Sequence, residues 1–190
     1  MAIILYAITK DNYFCKKETP DKKIDDLAWM RIPTDRRFFR ELTTLHANQP
    51  ILAGYKTAQV MPFLEGRKLV SISSRNEHGI RLDQALQRYP EGIIVGGASV
   101  LRSTMNFSHR NYINSIITVR LPLRVPLAEA EDYMKDPLLP FKDSGILKLS
   151  SQFFLYTDNF EQPTILVEIW RPTYNDWPSN KNNYGNSRGL

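Results

Sequence analysis

At 190 residues, 42% hydrophobic and 24% charged, the chain suits one globular domain with a core of ordinary size. Its single cysteine, Cys15, excludes an internal disulfide or a cysteine-built zinc site, and fits a reducing, cytoplasmic setting. The net charge of +5 is mild and favours anionic ligands, whereas neither a membrane-length apolar run nor a basic, aromatic-interleaved run suited to nucleic acid is present.

Residues 2–9 are apolar at both parities, as a strand covered on both faces requires. The run is too short, and lacks the basic leader, for a signal peptide. Residues 10–26 read as a loop: Lys16, Lys17, Lys22 and Lys23 face Glu18, Asp21, Asp25 and Asp26. The charges cancel, so a solvated, mobile segment is expected rather than a binding patch. Pro33 suits the first turn of a helix, where its missing N–H is no loss. The spacing of Phe38, Phe39, Leu42 and Leu45 predicts a helix over 35–45, with Asp35 at its start. A carboxylate there complements the helix dipole.

A strand over 50–53 ends at Gly54, followed by a short helix over 56–61 and, after Gly66, a strand over 68–73. Next come a helix over 83–89, a strand over 92–95, the Gly96-Gly97 pair, and a helix over 99–105. This β-α-β alternation implies a parallel sheet with helices on its faces. A strand over 111–119 follows. Residues 121–146, interrupted by Pro122, Pro126, Pro137 and Pro140, read as irregular. Strands over 148–157 and 164–170 look like an antiparallel pair around Asp158-Asn159. The domain is expected over 1–171, with an Asn- and Ser-rich flexible tail over 172–190. His46, His78 and His109 lack the spacing of a metal site, and Cys15 lacks a histidine partner.

Taken in order, Trp29, Ile32-Pro33-x-Asp35, Phe38-Phe39, Ile51-x-x-Gly54-x-x-Thr57, Gly66-Arg67-Lys68, Ser73-Ser74 and the Gly96-Gly97 turn resemble dihydrofolate reductase. The resemblance spans roughly residues 2–120, and the last strand is compatible with it. It implies a single-domain, three-layer α/β fold. The central sheet would be mostly parallel, with an antiparallel C-terminal strand pair and flanking helices. It implies reduction of 7,8-dihydrofolate to tetrahydrofolate with NADPH, by a monomer without membrane or nucleic-acid partners.

By the same resemblance, Asp35 would bind the protonatable edge of the pterin and bias its protonation, and Thr118 would reach the pterin through that acid. Trp29 would act through water. Leu5, Ala7, Phe39, Met61, Leu64 and Val95 would contact substrate, and Arg67 would pair with its glutamate carboxylate, where a guanidinium's bidentate geometry suits. The implied cofactor residues are Ala7, Gly54, Tyr55, Lys56, Thr57, Val95, Gly96, Gly97, Ala98, Ser99 and Val100, with Ser73, Ser74 and Arg75 on the 2′-phosphate. Strand-to-helix turns of this kind offer free N–H groups to phosphate.

Several positions depart from the family pattern. Tyr55 stands where a basic residue is usual, Arg36 where an apolar one is, and Leu101 where a tyrosine is common. An Arg36 facing the pocket would lower the pKa of Asp35. The loop after the first strand is longer and lacks the usual glycine and asparagine. One extra residue separates Trp29 from Asp35. Such changes suit a divergent, phage-type member. Two alternatives follow: a reductase of the same fold acting on a riboflavin precursor, or a binding or structural protein, such as a virion component, that has lost efficient catalysis.

Overall fold

The computed structural model describes residues 1–17, 32–62, 64–106, 108–156 and 164–173. Trp29, the 158–159 connection and most of the expected tail lie outside them. Seven strands form the central sheet: β1 (Ala2–Thr9), β3 (Ile51–Gly54), β4 (Leu69–Ile72), β5 (Ile93–Gly96), β6 (Ile113–Leu121), β8 (Leu147–Leu155) and β9 (Ile165–Pro172). Their order is β4-β3-β5-β1-β6-β9-β8. β4, β3, β5, β1 and β6 pair in parallel, and β9 runs antiparallel to both β6 and β8. The expected mostly parallel sheet with an antiparallel C-terminal pair is therefore what forms.

Alternation along β1 sorts its side chains between two cores. Ile4, Tyr6 and Ile8 pack with Leu82, Ala85 and Leu86 of α3 (Leu82–Arg88) and with Val100 and Leu101 of α4 (Ala98–Thr104). Leu5 instead joins Ile117, Val119 and Val167 beneath Phe38, Phe39 and Leu42 of α1 (Pro33–Leu45). Helices on both faces make three layers. α2 (Tyr55–Val60) follows β3 directly. Among the described residues no helix is long and apolar enough to cross a membrane.

Leu45, spaced with the apolar residues of α1, is 82% exposed at the helix's last position. Two expectations need correction. The 10–26 segment is not all loop: Tyr13–Lys16 form β2, which pairs antiparallel with β7 (Tyr133–Lys135) in a two-stranded ribbon. Tyr13 and Tyr133 meet edge-on at 6.0 Å, and the Lys135 ammonium lies 3.6 Å from the Tyr13 ring centre. Nor is 121–146 irregular throughout. A 3-10 turn over Leu127–Asp132 precedes β7, and α5 (Leu139–Asp143) follows it. Here the prolines start elements: Pro126 precedes the turn, and Pro140 occupies the first turn of α5, where a missing N–H costs nothing.

Candidate active site

The parallel strands β3 and β5 end side by side at Gly54 and Gly96, and a cleft of about 1510 Å³ opens beyond them. Ligand sites of open α/β sheets favour this carboxyl edge. The two glycine turns approach each other closely here. A Cβ on Gly54 would lie 3.1 Å from Gly97 N and 3.2 Å from Val100 Cγ2, and one on Gly97 would lie 3.2 Å from Thr57 Oγ1. Gly96 sits at φ +137°, open to glycine alone, and the peptide bond it makes with Gly97 is cis.

All fourteen residues expected to bind cofactor line this one cleft: Ala7, Val95, and residues 54–57, 73–75 and 96–100. The 73–75 segment is held by a clip. Ile80 N donates to Ser71 O, Ser73 N to Ile80 O, and Ser71 Oγ to His78 O, all within 3.0 Å. Gly79 allows it, since a Cβ there would collide with Ser71 O. The clip sets the His78 ring flat against Tyr55, centroids 4.3 Å apart and planes at 13°. Six basic side chains, Lys16, Lys17, Lys56, Arg75, Arg81 and Arg102, share the lining with two acids, Asp83 and Asp132. That imbalance suits a ligand carrying several phosphates.

Solved structures with this architecture exist. Dihydrofolate reductase from Enterococcus faecalis, complexed with NADP(H) and RAB-propyl, matches with a TM-score of 0.59 at 16% identity. The match covers 90% of this chain and 96% of that one. This is a dihydrofolate-reductase-like fold. No protein-family model matches the sequence, and no curated protein does.

In this dihydrofolate-reductase-like fold the expected substrate residues gather less completely. Only Ala7 and Val95 line the cleft; both also pack against the α1 cluster, where Phe39 lies and Leu5 is buried. They join the cleft to the α1 side. Asp35, in the first turn of α1, is half-buried, and burial pushes its carboxyl up to about 6. A carboxyl so placed exchanges its proton near neutral pH. Arg36 is exposed and does not lower it, which corrects the expectation drawn from their adjacency. Arg67 donates from Nη1 to Thr43 Oγ1 at 2.7 Å, so α1 already orients its guanidinium. Met61 and Leu64 are half-buried outside the cleft.

Thr118 does not belong beside Asp35. Ile117 and Val119 face α1, so the residue between them faces the opposite side of the sheet. There its hydroxyl accepts from Lys142 Nζ at 3.2 Å. The sequence reading also missed one wall of the cleft, which Phe14, Cys15 and Lys16 of the first ribbon strand, and Lys17 just after it, build with Met134. The signal was there: Tyr13-Phe14-Cys15 is a strand-forming triplet, obscured by the balanced charges after it.

Proposed function

We propose that this chain is an NADPH-dependent reductase of 7,8-dihydrofolate. One observation carries the reading: a single cleft collects every residue expected to hold the cofactor, and its Ala7–Val95 floor continues under the helix that bears a desolvated carboxyl. The cleft's chemistry fits the cofactor. Glycine backbone is exposed at two strand ends, cations outnumber acids, and Ser73, Ser74 and Arg75 offer the 2′-phosphate two hydroxyls and a guanidinium.

NADPH, when bound, supplies the hydride, and the pterin C=N gains that hydride on carbon and a proton on nitrogen. The chain's own residues bind, orient and bias protonation. Asp35 holds the amide-like edge of the pterin and shifts its proton equilibrium. Phe39 packs against the aromatic linker, and Arg67, braced by Thr43, takes the glutamate carboxylate.

Absorbance at 340 nm, followed after mixing purified protein with NADPH and dihydrofolate, tests the reading. A fall that requires both compounds and is lost in Asp35→Asn is expected. No fall, with NADPH still raising Tm, would leave a nucleotide-binding protein without this chemistry. No fall and no thermal shift would remove both.

A further inference from the structure

Behind the cleft, on the sheet face away from α1, lies a polar cluster that the proposed reaction does not use. Asp136 and Lys142 have side chains 1% and 5% exposed, and Lys142 Nζ donates to Asp136 Oδ2 at 2.8 Å. The other carboxylate oxygen accepts from the Tyr6 hydroxyl and from Leu138 N, each at 2.9 Å. The ammonium sits 5.4 Å from the Tyr6 ring centre and 5.0 Å from that of Trp170. Burying such a pair is costly, and apolar residues of similar volume often serve stability as well or better. Its position suggests what it does.

Asp136 immediately follows β7, the ribbon strand paired with β2. Its backbone N–H donates to Asn12 O at 2.8 Å, at the turn between β1 and β2. Tyr6, its side-chain partner, lines the cleft and meets Phe14 of β2 edge-on at 5.8 Å. The turn is fixed again by Arg120, which donates to Asn12 Oδ1 at 2.7 Å while paired with Glu168. Phe14 and Cys15 rest on the two cores of the main sheet, and these bonds fix the β1–β2 turn and the end of β7 beside them.

We infer that Asp136 is a positioning residue: through Tyr6, with Lys142 offsetting its buried charge, it sets the β2–β7 ribbon as the cationic wall of the cleft, holding Lys16 and Lys17 towards an anionic dinucleotide. The anchor is a property of the free chain. Its consequence for binding rests on the cofactor reading given above.

Tyr6→Phe keeps the ring against Phe14 and removes only the hydroxyl. Amide hydrogen exchange on the ligand-free full chain should show residues 13–16 exchanging roughly tenfold faster, with β3 and β5 unchanged. The NADPH Kd should rise about three- to tenfold and the dihydrofolate Kd stay within about twofold. Asp136→Asn combined with Lys142→Met keeps an acceptor for Tyr6 without a buried charge, and should hold ribbon exchange within about threefold of the parent. Unchanged ribbon exchange in Tyr6→Phe overturns the inference. So does uniform acceleration across the sheet, which is what a merely structural role would give. If the parent chain binds no NADPH, the reductase reading fails, and the exchange pattern alone still decides the anchor.

Discussion

A Cβ on Gly54 would stand 3.1 Å from the backbone nitrogen of Gly97, so the turns ending β3 and β5 meet through bare backbone. The neighbour is main chain and cannot swing aside. Gly54→Ala should therefore push the two strand ends apart, costing about 1–3 kcal/mol in urea denaturation. The same shift widens the floor of the cleft. The NADPH-induced rise in Tm should shrink or vanish in this variant, and an unaltered rise would show that the contact plays no part in binding.

Asp35 carries a stability cost that grows with pH. Its carboxyl is pushed up to about 6 in the folded chain, against about 3.9 when unfolded. Between those values the folded state keeps a proton that the unfolded chain has released. The stability of the protonated group is thus fully present below about pH 4 and is lost as pH rises through about 6. Asp35→Asn should make the fold more stable by about 1–3 kcal/mol at pH 7 and leave it unchanged at pH 3.5. Turnover should fall at least about a hundredfold in the same variant. Denaturation at the two pH values, with the 340 nm rate, checks both.

That the expected cofactor residues share one cleft was legible in the sequence because they lie in three short segments at strand ends. Gly54 with Thr57, Ser73 with Arg75, and Gly96 with Gly97 keep their meaning whatever lies between them, since the βαβ units bring every such end to one edge. The α1 side was less legible. Thr118 depends on register, and in a strand an error of one residue moves a side chain to the opposite face. Ile117 and Val119, equally apolar with Ile116, gave no alternation to fix the phase. The ribbon was hidden differently. β2 and β7 are 117 residues apart at their closest and pair with each other, outside the main sheet, so the short Tyr13-Phe14-Cys15 signal had no neighbouring partner to support it.

Arg75 should decide between NADPH and NADH. It is exposed, and its backbone N–H donates to Ser73 Oγ at 3.0 Å, which orders the segment while leaving the guanidinium directed by ligand. A charge-assisted bond to a phosphate is worth about 1.5–3 kcal/mol. Arg75→Ala should therefore raise the NADPH Kd about ten- to a hundredfold and change that for NADH little. Equal losses for the two nucleotides would move the 2′-phosphate to another part of the cleft.

Thr118→Val separates the two faces of the sheet. Were Thr118 bonded to Asp35, its loss would shift the acid's titration and the pH dependence of turnover. In this structure the hydroxyl instead accepts from Lys142 in a fully buried position. Valine keeps the shape and leaves the ammonium with Asp136 but one acceptor short. The cost should be about 1–3 kcal/mol, read from the urea midpoint. The pH at which turnover is half-maximal should not move, because that depends on the desolvated carboxyl across the sheet. A shift of that midpoint, without loss of stability, would place Thr118 back beside Asp35 and require β6 to be read one residue out of register.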